Sequence, residues 1–102
     1  MFHPATADIS LAAVMHALSD PARLAIVAQL AELGEEPCGD IDLDLHKSTI
    51  SHHYRVLREA GLTLTTVEGR IRIVRLRRDD LEARFPGLLT AVVNALGSSP
   101  AP

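Results

Sequence analysis

The stretch KSTISHHYRVLREAGL, residues 47–62, gathers Lys47, Ser48, Thr49, Ser51, His52, Arg55 and Arg58 within twelve positions. Hydroxyls can donate or accept at base edges and phosphates, and an arginine can reach the O6 and N7 of guanine as a bidentate pair. This mixture therefore suits the major groove of DNA. At about 100° per residue, a helix puts Ile50, Tyr54 and Leu57 on one arc, with His53 and Ala60 at its edge. Ser48, Ser51, His52, Arg55 and Glu59 fall on the opposite arc, with Thr49 and Arg58 flanking. The competing reading is an ordinary solvated helix face.

The residues that follow favour the first reading. In EGRIRIVRL, Arg70 and Arg72 alternate outward along a hairpin, and Arg75, Arg77 and Arg78 extend the basic tract. Helix and hairpin together can neutralise several phosphates. From Lys47 to Arg78 the chain carries eight basic residues against Glu59 and Glu68, net +6, while the remainder is net −9. A bland surface rarely segregates charge so strongly in a chain whose formal charge is −3.

Other chemistries are poorly served. There is no Gly-rich phosphate loop, no serine on a strand-to-helix elbow and no carboxylate pair with an obvious cleft, so an enzyme is not expected. His46, His52 and His53, with Asp42 and Asp44, could suggest a metal cluster. His52 and His53 diverge on a helix, however, where zinc sites favour i, i+4 spacing. His53 reads better as a buried or half-buried hydrogen-bond donor, and His52 as a DNA-facing donor. His3 and His16 could in principle contribute to an intersubunit site near the first helix. Cys38, the single cysteine, excludes an intrachain disulfide or multi-cysteine zinc site. As a sensor thiol, Cys38 would be blunted by nearby carboxylates and activated by a helix start; the commoner role is a small buried hydrophobe. No metal or other cofactor is expected.

These side chains need elements to position them. Asp8 can cap a first helix reaching about Leu18. Asp20, with Pro21 at the first helical position, starts a second through Leu24, Val27, Leu30 and Leu33, which Gly34 ends. In EEPCGDIDLDLHK, apolar and acidic residues alternate as in a strand, but a short irregular helical turn is expected. A helix then runs from Ser48 to near Gly61. In the hairpin Leu62 and Leu64 alternate with Thr, Ile71 and Ile73 alternate with Arg, and Glu68-Gly69 makes the turn. Leu81, Phe85, Leu88, Leu89, Val92, Val93 and Leu96 form one stripe on a final helix, with Asp79 and Glu82 spaced as a capping box. The order is that of a mainly α winged helix-turn-helix with a β-hairpin wing.

The chain of 102 residues, 47% hydrophobic, suits one domain over residues 1–96, with GSSPAP at 97–102 as a flexible tail. MFHPATADIS lacks a basic region followed by an apolar run, and no segment approaches bilayer-spanning length, so a cytoplasmic protein with no membrane partner is expected.

ALSDPARLAIVAQL, STISHHYRVLREAGL and the EGRIRIVRL wing, in this order, resemble the ArsR/SmtB repressors, dimeric winged-helix DNA-binding proteins of which many respond to metals. The resemblance spans Leu11 to Leu76. It implies that Ser48, Thr49, Ser51, His52 and Arg55 enter the major groove, beside Lys47 and Arg58, and that Arg70 and Arg72 serve the wing. It places the homodimer interface on the first and last helices, at Leu11, Val14, Leu81, Phe85, Leu88, Leu89, Val92, Val93 and Leu96. A stripe that long and apolar does not suit an exposed monomer surface either. Two departures stand out. Metal-responsive members often carry paired thiolates where this chain has PCGD, and others use Asp and His on a last helix that here has no His. The residues name no effector. The expected function is a dimeric repressor on a pseudo-palindromic operator of double-stranded DNA. The alternative is a protein-interaction module whose basic face meets an acidic partner.

Overall fold

A computed structural model describes residues 1–37 and 45–97. A 3-10 turn, Thr6–Asp8, precedes α1 (Leu11–Ala17) and α2 (Pro21–Leu33). Asp8 lies in that turn, and the cap expected of it is supplied by Ser10, whose side chain accepts from the Ala13 N–H at 3.2 Å. The Asp20 expectation holds: Oδ1 accepts from Ala22 N (2.8 Å) and Arg23 N (3.2 Å), with Pro21 opening α2. Ile26, Val27 and Leu30 project from α2 into a core completed by Ile9, Val14, Leu57, Leu62, Val74 and Leu81. No single helix among the described residues is long and apolar enough to cross a membrane.

Helix α3 (Lys47–Glu59) ends at a tight corner into the hairpin. Gly61 N donates to Arg58 O at 3.1 Å and Leu62 N to Leu57 O at 3.0 Å, the paired bonds of a Schellman cap. Gly61 has φ +91°, and a Cβ there would lie 2.6 Å from Cγ1 of Ile9. The corner therefore needs glycine twice, for its backbone and for the close approach of Ile9.

Strands β2 (Thr63–Glu68) and β3 (Ile71–Leu76) form the hairpin, and a third strand, β1 (Glu35–Pro37), pairs with the other edge of β3. Those three residues were expected to begin a helical turn. They are strand because a two-stranded hairpin leaves one edge of β3 open, and the chain leaving α2 satisfies it with Glu35 opposite Arg75 and Pro37 opposite Ile73. Residues 38–44 of the expected turn, including Cys38, and the expected tail beyond Gly97 lie outside the described residues, while Lys47, at the end of that stretch, already opens α3.

The hairpin's faces are the reverse of the expected alternation. Thr63 and Thr65 are buried opposite Leu76 and Val74, whereas Leu64 and Ile73 are half-buried on the other face and Ile71 is 52% exposed. A one-residue offset exchanges the faces of a strand. Here Leu62 sits in the corner rather than in the strand, so Thr63 takes the first inward position.

The single final helix is two. α4 (Arg78–Arg84) and α5 (Leu88–Ala95) are separated at Phe85-Pro86-Gly87. Pro86 has no N–H and bars its predecessor from the helical region, leaving Phe85 at φ −137°, ψ 77°, while Gly87 reverses the chain at φ 83°. The Asp79/Glu82 capping box does not form. Arg77 is the N-cap without a side-chain cap bond, and Glu82 Oε2 instead accepts from Gly87 N at 3.0 Å, bracing the break.

Candidate nucleic-acid interface

The exposed face of α3 carries Lys47, Ser48, Thr49, Ser51, His52, Arg55 and Glu59, as the helical wheel requires. His53, Tyr54 and Leu57 face the interior, and Ile50 is half-buried. Amphipathic spacing thus turns every short hydroxyl of the helix outward. His46 caps α3 without a side-chain hydrogen bond, so no side chain among the described residues takes up the amides of its first turn. Unclaimed N–H groups at a helix N-terminus are suited to a phosphate oxygen.

Arg55 Nε donates to Glu59 Oε2 at 3.2 Å, with both side chains well exposed at 66% and 47%. Such an i, i+4 surface pair contributes only about 0.3–0.5 kcal/mol, so a guanine edge competes with it readily. Arg70, in the turn after Gly69, and Arg72, on β3, are exposed at the hairpin tip beside Val67 and Ile71. Lys47, Arg70 and Arg72 form no ion pair among the described residues.

The other basic residues are placed differently. Arg58, expected beside the DNA contacts, is half-buried, and its Nε is sequestered with no hydrogen-bond partner among the described residues. It stands close enough to His3 for its charge to act there. His3 Nε2 accepts from Thr65 N at 3.0 Å. Burial, followed by the charges of Arg58 and Arg77, holds the imidazole below its ordinary pKa, which keeps it an acceptor. Arg75 lies 3.9 Å from Glu68, Arg77 donates to Asp80 Oδ2 (2.9 Å) and Pro4 O (2.7 Å), and Arg78 donates to Ala31 O (2.7 Å). Of the tract beyond Arg72, expected to extend the phosphate surface, Arg77 and Arg78 are tied to the carbonyls of Pro4 and Ala31, and Arg75 is half-buried on β3 near Glu68.

Behind α3 lies a polar cluster that the sequence reading did not assemble. Arg23, buried, donates Nε to Ala17 O (2.6 Å) and Nη2 to His16 O (3.4 Å), and its Nη1 is 3.1 Å from His53 Nδ1. A guanidinium can only donate, so Nδ1 is the acceptor and the ring proton sits on Nε2, 3.9 Å from Asp20 Oδ1. His53 is buried as expected, but it accepts this bond rather than donating it. Desolvation pushes the Asp20 carboxyl up; the N–H groups of Arg23 and Ala22, with the nearby Arg23 guanidinium, outweigh it and leave it below its ordinary value. The signal was in SDPAR, whose spacing puts Asp20 and Arg23 on one turn.

Among the described residues no three His, Cys, Asp or Glu side chains converge as metal ligands, so His3, His16, His46, His52 and His53 join no such group. Of the residues expected at a dimer interface, Val14, Leu81 and Leu89 are packed within the protomer core, where they offer no surface as they stand. Leu11 is exposed, and Phe85, Leu88, Val92, Val93 and Leu96 are half-buried. Met15, not among the expected residues, is exposed one turn beyond Leu11.

The uncharacterized HTH-type transcriptional regulator YceK of Bacillus subtilis (strain 168) is 42% identical over 81 residues, covering 76% of this chain and 81% of YceK. The family model for bacterial regulatory proteins of the arsR family matches residues 20–63, from the cap of α2 into the hairpin. This chain belongs to the ArsR family. The crystal structure of the transcriptional repressor BigR from Xylella fastidiosa superposes with a TM-score of 0.65 at 28% identity, over 87% of this chain and 88% of BigR. An ArsR family transcriptional regulator at 23% identity matches in fold, with a TM-score of 0.66 over 87% of this chain and 97% of its own. A possible transcriptional regulator for arsenical resistance gives 0.59 at 30% identity, over 85% and 81%. ArsR regulators bind double-stranded DNA and typically act as dimers; in this chain the face of α3 and the hairpin tip, the wing, are exposed and carry Lys47, Arg55, Arg70 and Arg72.

Proposed function

We propose that this ArsR regulator is a homodimeric repressor that binds a pseudo-palindromic operator. In this reading α3 of each protomer lies in successive major grooves, and the wing lies against the adjacent backbone. The observation that carries it is the joint exposure of Lys47, Ser48, Thr49, Ser51, His52 and Arg55 on one face of α3, together with Arg70 and Arg72 at the wing tip. Arg55 and His52 would read base edges; Ser48, Thr49 and Ser51 would serve both bases and phosphates; Lys47, Arg70 and Arg72 would neutralise phosphate. Arg58 would steady the root of the wing more than touch DNA. Residues 1–96 would act as one DNA-binding and dimerisation unit, a regulator rather than an enzyme. Leu11 and Met15 of α1, with Phe85, Leu88, Val92, Val93 and Leu96, would supply the apolar surface between protomers.

Selection of randomised duplex DNA by the purified protein at near-physiological salt tests this. An enriched inverted repeat with half-sites about one helical turn apart is expected. A folded, dimeric protein that enriches no motif would overturn it and return the basic face to an acidic protein partner.

A further inference from the structure

We propose that His53 is a positioning residue for sequence recognition: through its bond to Arg23 it fixes the rotation of α3 about its own axis. The proposal rests on α3 being the DNA-reading helix. On the inner side of α3, Ile50 and Leu57, with Ala60 at the C-cap, pack against apolar neighbours. Such packing resists separation but is weakly directional. His53 Nδ1 adds a directional contact, accepting from Arg23 Nη1 at 3.1 Å. Arg23 cannot follow a turning helix, because its Nε and Nη2 are engaged by the Ala17 and His16 carbonyls at the end of α1. Its backbone N–H is held by Asp20 at the start of α2. One guanidinium therefore references α3 to two other helices.

The geometry shows why that matters. Side-chain tips lie roughly 5–6 Å from a helix axis, so a rotation of about 20° displaces them by about 2 Å. A bidentate contact to a base edge tolerates only a few tenths of an ångström before its hydrogen bonds weaken. His52 is the next residue along the outer face and Arg55 lies two positions beyond His53, so both inherit any rotation that His53 permits. Phosphate contacts from the wing do not, since the wing is carried by β2 and β3.

The test compares His53→Asn with His53→Gln in the full-length protein. An asparagine Oδ1 takes the place of Nδ1 and can accept from Arg23; a glutamine carries its acceptor out to the Nε2 position and leaves Nη1 unmatched. Affinity is read by fluorescence anisotropy on the duplex selected by the wild type and on a scrambled duplex of equal length, with the folded fraction followed by circular dichroism. His53→Gln should lose discrimination by about tenfold, the size of a single mismatched base pair, almost wholly through the selected duplex. His53→Asn should retain it. Arg23→Lys, which keeps a cation near the α1 carbonyls but removes the bond to His53, should behave like His53→Gln and serves in its place if that variant does not fold. Discrimination that survives both His53→Gln and Arg23→Lys, or that falls only in step with the folded fraction, would overturn the role. So would glutamine rescuing where asparagine fails. A wild type that selects no duplex would refute the DNA reading itself, and this role with it.

Discussion

The salt dependence of DNA binding should count the cations that the fold leaves free. Of eight basic residues between Lys47 and Arg78, Arg75, Arg77 and Arg78 are engaged with Glu68, with Asp80 and Pro4, and with Ala31. Arg58 is half-buried, and Arg55 is assigned to a base. Lys47, Arg70 and Arg72 remain, about six phosphate contacts for a dimer. At about −0.9 per contact, log Kobs should fall against log salt with a slope of about −5, or about three decades of affinity between roughly 50 and 200 mM KCl. If all eight residues met phosphate in each protomer, the slope would approach about −14. Arg72→Ala removes two contacts from a dimer and should flatten the slope to about −3.5, weakening binding to all sequences alike. Arg77→Ala should leave the slope unchanged and lower the melting temperature instead, because it releases Asp80 and Pro4. Anisotropy titrations of a labelled operator over that salt range measure both. A wild-type slope near −14, or an Arg77→Ala variant that flattens the slope as much as Arg72→Ala, would refute this division of the arginines.

Arg55→Ala should relax the preferred sequence by about 1–3 kcal/mol at one base position per half-site; uniform loss of affinity with unchanged preference in a repeated selection would remove it from base reading. Gly61→Ala should cost roughly 2–4 kcal/mol in a denaturant melt, since φ +91° disfavours any side chain and the new Cβ would lie 2.6 Å from Ile9; a variant as stable as the wild type would show that the corner can relax. Asp80 is held below its ordinary pKa by the Thr6 hydroxyl and then by Arg77. A depressed carboxylate adds stability above its unfolded value of 3.8, and that stability is lost as pH falls through the still lower folded value. Asp80→Asn should therefore melt below wild type near pH 7, with the gap closing only as pH falls below 3.8 and through the lower folded value; a constant gap would place the effect elsewhere.

Much of this was legible because it is local. The outward face of α3 follows from period, the start of α2 from Asp20-Pro21, and the hairpin turn from Glu68-Gly69. What escaped depended on partners distant in sequence. Glu35–Pro37 has no strand pattern of its own and is strand only because β3 offers an edge. Thr63 and Leu64 are each compatible with an inward position, and the corner at Gly61 decides between them. The break at Pro86 carried a local signal, yet the apolar stripe from Leu81 to Leu96 overrode it, since α5 turns back onto the same core and preserves a helical spacing across the gap. An exposed arginine and a bound one look alike in a sequence, because the carbonyls that accept from Arg77 and Arg78, those of Pro4 and Ala31, stand 73 and 47 residues away.

That last distinction bears on how a chain of net charge −3 finds DNA at all. The surplus of negative charge lies outside the segment from Lys47 to Arg78, so a duplex repels the remainder of the chain, net −9, and attracts that segment, net +6. Among the described residues, Lys47 at the start of α3 and Arg70 and Arg72 at the wing tip form no ion pair, and in the proposed reading the attractive approach brings both ends to the backbone together. In that pose the hydroxyls of α3 already face the groove. Charge in this reading orients the protein before any base is read. With few phosphate contacts, the share of affinity left to base edges is large, and the angular placement of α3 by Arg23 and His53 then governs how much of it is realised.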